Sequence, residues 1–453
     1  MAQDRAADAA RARRAVALDP RDRVSWHNLA AAEGDLGNAR EAERAARRAL
    51  ELGIAAPETR VVLARALQDL NRLSEAERMF EEAIALRPSY AEAHRDLAQL
   101  RWMRTGQTDA ALRSLDAALA RAPQEAMLHL VRSIALEFIG DELGALASAE
   151  AGLARAPHDL QLLRQAAHLC AQMRQSERAV GFARHAVALA PDLAPVQIIL
   201  CEALLACGDL KQAAAVSERI CAMDPLDQHA VALRATTWRL RGDPRYELLN
   251  DYARLIGAEL LDVPKGWSSL PSFLDELAAD LAALHRYRAH PFQQSVRGGG
   301  QLPLNAREMS RRTLQALFAC FRDAVQRHLA RLGSGSDPFT SRNTGRFGFA
   351  GAWSVRLAAG GHHADHVHPR GWLSSAFYVA LPPVIRAEDG TRAGWFRLGR
   401  PGIATTPRLD ADHYITPEAG KLLLFPSYMW HGVEPFQSVQ PRLTVAFDAV
   451  PQA

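Results

Sequence analysis

The sequence predicts two parts of different fold class: an all-α solenoid of stacked helical hairpins over residues 1–242, then a double-stranded β-helix, or jelly-roll barrel, with flanking helices over 243–453. Three observations carry this. Prolines at 88, 123, 157, 191 and 225 recur every 34 or 35 residues, each closing an Ala- or Leu-rich run, and a period of that length marks repeated supersecondary units. The period is lost from Asp243 onward. Beyond Gly345, helical spacing of apolar residues gives way to short runs that alternate every second residue, the signature of half-buried strands.

A chain of 453 residues exceeds one ordinary core, in keeping with two domains. The formal net charge of +3 is small for this size and argues against a dedicated nucleic-acid binder. Only Lys211, Lys265 and Lys421 among the 54 basic residues are lysines, a skew that reflects base composition more simply than function. No stretch has the ~18 consecutive apolar residues of a spanning helix, and Met-Ala-Gln-Asp-Arg lacks the pattern of a signal peptide. The expectation is therefore a cytoplasmic protein with no membrane partner. The five cysteines, at 170, 201, 207, 221 and 320, lie in helix-like runs without a Cys-x-x-Cys and read as reduced core thiols.

In chain order, six full repeats span about 21–54, 55–88, 89–123, 124–157, 158–191 and 192–225, with a helix before them and a partial unit to Gly242. Two further series keep the period. Gly37, Asn71, Gly106, Gly140, Arg174, Gly208 and Gly242 fall where a tight turn would join two helices; Ala42, Ala76, Ala111, Ala145, Ala179 and Ala213 fall where paired helices must approach closely. These units resemble the tetratricopeptide repeat. Such repeats bury their apolar faces by stacking, which leaves a concave surface for a partner. The resemblance implies that the first helix of each unit lines it, here with Trp26, His27, Asn28, Arg60, His94, Arg95, His129, Arg164 and Gln165. The plainer reading of each is an exposed polar position on a scaffold.

After Asp243, Ser272 to Asp275 reads as a capping box opening a helix to about Arg288, with Phe273, Leu274, Leu277, Leu281 and Leu284 at helical spacing. The stretch from His290 to Gln301 reads as a loop; its three glycines, Gly298 to Gly300, point either to flexibility or to a segment that closes over a ligand. A second helix is expected at 307–331, then a Gly/Ser segment to Gly345. Strands are expected near 346–358, 362–368, 373–381, 394–398, 411–416, 421–425, 430–436 and 442–449, a number that suits a jelly roll with the helices packed on one sheet.

The chemistry concentrates in the strands. His366 and His368 share a face because side chains alternate along an extended chain, and two neutral imidazoles so placed can bind one metal ion. His431, after the run Lys421 to Pro426, adds a third at the edge of another strand. His363 with Asp365 offers an alternative pair, one imidazole and one carboxylate, closer to the usual two-histidine, one-carboxylate set of non-haem iron. Alternation puts Arg442 and Thr444 on one face and Leu443, Val445 and Phe447 on the other, and a guanidinium beside a hydroxyl suits a carboxylate. Tyr378 is either a further hydrogen-bond donor or core; Asp448 is expected at the surface.

His366-Val-His368-Pro369, Trp372, Ser374 to Val379, Gly394-Trp395-Phe396, Phe425-Pro426-Ser427 with His431, and Pro441-Arg442-Leu443-Thr444 together resemble the iron(II)/2-oxoglutarate-dependent dioxygenases. They are most similar to the bacterial branch in which that domain follows tetratricopeptide repeats. The resemblance implies a jelly roll, Fe(II) held by His366, His368 and His431, and 2-oxoglutarate bound through Arg442 with Thr444 or Tyr378. It also implies O2 as oxidant, with succinate and carbon dioxide released as a C–H bond is hydroxylated. A peptide or protein side chain delivered by the repeats is the expected substrate. A non-catalytic repeat adaptor with a vestigial barrel and a small-molecule oxygenase are the alternatives.

Overall fold

The computed structural model describes residues 2–305, 307–386 and 390–452, in two compact units, Met1–Arg155 and Ala156–Ala453. Among the described residues, no helix is long and apolar enough to cross a membrane.

The first unit is built of helices Ala2–Leu18, Arg23–Asp35, Ala39–Glu51, Pro57–Asp69, Leu73–Leu86, Ala91–Thr105, Thr108–Arg121, Ala126–Ile139 and Glu142–Leu153. The same hairpin pattern opens the second unit in Leu160–Gln172, Ser176–Leu189, Ala194–Cys207, Leu210–Met223 and Gln228–Leu240. The periodic turn residues are the cause. Gly37, Asn71, Gly106, Gly140, Arg174, Gly208 and Gly242 all have positive φ, between 58° and 103°, the left-handed step that ends one helix and turns the chain into the next. The periodic alanines from Ala42 to Ala213 are all fully buried, because a larger side chain there would push paired helices apart.

Several residues expected to line a partner groove have structural tasks instead. Trp26, His94 and His129 each bond through a ring nitrogen to the carbonyl of the proline six residues earlier, Pro20, Pro88 and Pro123, at 2.9, 2.9 and 3.1 Å. Gln197 does the same to Pro191 at 2.7 Å. A helix-breaking proline leaves its carbonyl free in the turn between repeats, and these side chains satisfy it. His94 is completely buried, its other nitrogen 2.7 Å from the Ser114 hydroxyl. Of the five thiols, Cys170, Cys201 and Cys221 are buried, whereas Cys207 is exposed and Cys320 half-buried.

The rest of the second unit is a nine-stranded, wholly antiparallel sheet. Its strands are β1 (Gly257–Leu260), β2 (Val296–Pro303), β3 (Phe347–His366), β4 (Leu373–Ala380), β5 (Phe396–Leu398), β6 (His413–Ile415), β7 (Lys421–Pro426), β8 (His431–Val433) and β9 (Arg442–Pro451). The order is β1-β7-β4-β9-β3-β8-β5-β6, with β2 paired to β3. The two strands expected at 346–358 and 362–368 are one. Residues 347–357 of β3 pair with β9, while His363 and His366 pair with β8. At the change of partner sit Gly360, with φ +73°, and Gly361, where a Cβ would lie 2.6 Å from the Gly298 carbonyl oxygen. This bend lets one strand serve both layers of the jelly roll.

The stretch expected as a glycine loop is largely strand β2. Gly299 pairs with Leu357, and a Cβ on it would come within 2.3 Å of the Arg356 carbonyl oxygen. These glycines permit close backbone approach at an irregular register; they are not a lid. β1 was also not expected. On the outer face of the sheet, helix Arg312–Leu332 packs Phe318 and Phe321 against Phe349, Phe377 and Phe447, with ring centroids 5.0–6.3 Å apart. Leu443, Val445 and Phe447 therefore face the helix, and Arg442, Thr444 and Asp448 face the barrel interior.

Candidate metal centre

His366 at the end of β3 lies directly across from His431 at the start of β8. His368 follows just past the strand, its backbone N–H bonded to the Ser427 carbonyl at 3.0 Å. The three side chains converge: one ring nitrogen of each lies within 4.8 Å of the others, and among the described residues this is the one such group of three metal-capable side chains.

The outward nitrogens fix the tautomers. His366 Nδ1 lies 2.9 Å from the Ala364 carbonyl, His431 Nδ1 2.9 Å from the Met429 carbonyl, and His368 Nδ1 2.6 Å from the Asp448 carboxylate. Each acceptor holds the proton on Nδ1, which leaves the Nε2 lone pair for the centre. His366 Nε2 and His368 Nε2 are then 3.2 Å apart, two acceptors face to face that only a shared proton or a cation can reconcile. Burial above all, with the neighbouring His368 adding to it, pushes the His366 imidazole down to about 3; burial likewise holds His431 well below its ordinary value. Both are neutral ligands near pH 7. The ring of Phe425 lies 4.7 Å from that of His431 and the ring of Trp353 5.5 Å from that of His368. The donor set fits a divalent transition metal with sites left open.

Arg442 is 2 % exposed, and its guanidinium stands 5.0 Å from the centre of the Tyr378 ring. Its Nε is buried without a hydrogen-bond partner, the Tyr378 hydroxyl lies against the guanidinium, and no acidic side chain among the described residues forms an ion pair with it. Burial pushes the Tyr378 phenol up to about 12, so it remains a donor. Thr444 is buried on the same face of β9. An uncompensated buried guanidinium beside two hydroxyls calls for an anion.

The alternative pair is not assembled. Both oxygens of Asp365 are spent on Arg397, at 2.8 and 3.0 Å, and one of them also on Arg400 at 2.6 Å. His363 stays nearby, its ring 6.0 Å from and nearly parallel to that of His366, with Nδ1 3.0 Å from the Ser295 hydroxyl.

Asp448, expected at the surface, is instead the partner of His368. It also accepts a 2.8 Å bond from Ser374, which lies 2.8 Å from Ser427. The signal was present: the alternation that turns Arg442 and Thr444 inward does the same for Asp448. The Asp365, Arg397 and Arg400 cluster gave no such signal, since Arg397 comes from β5 and Arg400 from the segment after it, and only the fold brings them to Asp365.

A jelly roll that brings together three convergent imidazoles and a buried guanidinium with no acidic partner carries a candidate metal centre. Residues 351–448 match the family model described as "Putative 2OG-Fe(II) oxygenase", and residues 72–134 match that described as "Tetratricopeptide repeat". The chain thus joins tetratricopeptide repeats to a 2OG-Fe(II) oxygenase-like domain. No curated protein matches it. Among solved structures it is similar to the Cut9-Hcn1 hetero-tetramer of APC/C, at 13 % identity and TM-score 0.37 over 52 % of this chain and 46 % of that one. It is also similar to pilF of Pseudomonas aeruginosa, at 16 % and 0.34 over 46 % and 95 %. A third is YrrB, a TPR protein with an unusual peptide-binding site, at 19 % and 0.26 over 41 % and 95 %. The chain thus spans less than half of the first of these.

Proposed function

We propose that the chain is an Fe(II)- and 2-oxoglutarate-dependent oxygenase that hydroxylates a side chain of a peptide or protein presented by its repeats. The observation that carries this reading is the convergence of three proton-free Nε2 atoms in a barrel that also buries an unpaired Arg442. His366, His368 and His431 would hold Fe(II), which with 2-oxoglutarate and O2 supplies the oxidising chemistry that the side chains lack. Arg442 would bind the distal carboxylate of 2-oxoglutarate, with Tyr378 and Thr444 as hydroxyl donors. Asp448 holds the proton of His368 at Nδ1, and the Phe425 and Trp353 rings flank the imidazoles of His431 and His368.

The test separates the two ligands. Wild type should bind one Fe(II) per chain anaerobically and then 2-oxoglutarate, and His366→Ala or His431→Ala should lose the metal. Arg442→Ala should keep the metal while 2-oxoglutarate affinity falls by ~2–5 kcal/mol, about thirtyfold to several thousandfold. Full iron loading in both histidine variants would remove the proposed centre.

A further inference from the structure

Each of the three imidazoles has a chain neighbour tied to the last repeats. Beside His368, the Pro369 carbonyl accepts the backbone N–H of Gln228, at the start of helix Gln228–Leu240, at 2.9 Å. Beside His431, the buried Trp430 donates its indole N–H to the Thr236 hydroxyl of the same helix at 2.9 Å, and the His229 ring meets the Trp430 ring edge to face at 5.6 Å. Beside His366, Asp365 is gripped by Arg400. Arg400 belongs to the segment 399–412 between β5 and β6, which is itself held on the helices.

That segment is held at both ends. Thr406 bonds to the Leu205 and Ala206 carbonyls at the end of helix Ala194–Cys207, at 2.9 and 2.7 Å. Arg239 donates to the Gly399 and Asp410 carbonyls at 2.8 and 3.0 Å. Asp412 accepts from Tyr246 and Tyr252 at 2.6 and 2.7 Å. Gly402 has no room for a Cβ, which would fall 1.9 Å from the Asp365 carbonyl oxygen and 3.1 Å from the Trp430 ring. The segment is thus a filled layer between the helices and the chain on either side of the imidazoles.

We infer that the last repeats are a working part of the metal centre: Thr236 and Arg400 are positioning residues that set where His431 and His366 stand. The inference rests on the reading of the three imidazoles as a metal site. A ligand held in place loses affinity when its outer partners are removed, typically about 10–100-fold for a direct partner and less for one placed further out. A purely structural contact would lower stability and leave the metal unaffected.

The experiment uses the full chain and Co(II), whose visible spectrum reports the number and geometry of its ligands. Thr236→Val keeps the volume of the side chain and removes the acceptor for Trp430; Arg400→Met keeps the apolar stem and removes one of the two guanidinium donors to an Asp365 oxygen. Each variant should lower Co(II) affinity at least threefold and alter the spectrum, and Thr236→Ser should restore both. Thermal unfolding followed in parallel identifies folded samples, and Thr236→Val, the milder change, decides between the outcomes. Wild-type affinity and spectrum in a folded Thr236→Val protein, with only its melting temperature lowered, would overturn the inference. Wild type failing to bind Co(II) would instead sink the metal-site reading, and this inference with it.

Discussion

At the scale of single residues, the least expected feature is that His368 leans on a carboxylate that does not itself join the cluster. Asp448 has 16 % of its side chain exposed and accepts from both His368 and Ser374. A carboxylate behind an imidazole fixes its tautomer and raises its basicity, so the centre keeps acidic character one bond further out. Asp448→Asn should preserve the fold yet reduce Fe(II) or Co(II) affinity roughly 10–100-fold, since an amide has the shape but not the charge. A competition assay against a metal chelator measures this; equal affinities would show that Ser374 and the backbone alone hold the imidazole.

At the scale of elements, the repeats are legible in the sequence because each part of their signal is local. Proline, left-handed turn residue and small alanine each act within one hairpin, and each recurs. Arg174 is the exception, because it takes φ +58° in a series otherwise filled by glycine and asparagine, a conformation costing a residue with a Cβ ~1 kcal/mol or more. Its side chain is exposed. Arg174→Gly should therefore stabilise the protein by about 0.5–1 kcal/mol in urea unfolding. An unchanged or lower midpoint would show that the arginine compensates its own strain. The strands are legible where alternation is clean, as in β9, or where the run is continuously apolar, as in β7. Alternation fails at β2, whose glycines serve a close approach to Arg356 that only the partner strand reveals. The imidazoles are legible from their spacing. Asp448 is missed when it is weighed apart from the strand that carries it, and the role of Asp365 because Arg397 and Arg400 reach it from another strand and loop.

At the scale of the whole chain, the unit that contains the three convergent imidazoles also contains five helices of the repeat pattern. A fragment of residues 156–453 should fold and bind metal as the full chain does. A fragment of 243–453 should be less stable and bind metal more weakly, because Trp430, Thr406 and the Gly399 carbonyl lose Thr236, Leu205 and Arg239. Circular dichroism and Co(II) titration of both fragments check this, and equal behaviour would show that the helices contribute nothing to the centre. The long bent strand β3 has a consequence in time. Its first half pairs with β9 and its second half with β8, so the half of the barrel that carries Asp448 cannot close until residues up to Pro451 have been made. At about 5–20 residues per second, helix Gln228–Leu240 waits roughly 10–40 s after its own synthesis before Trp430 and Asp448 are both in place. Throughout that interval the helices already present the surface that will receive the oxygenase strands, and the nascent barrel assembles against a finished wall.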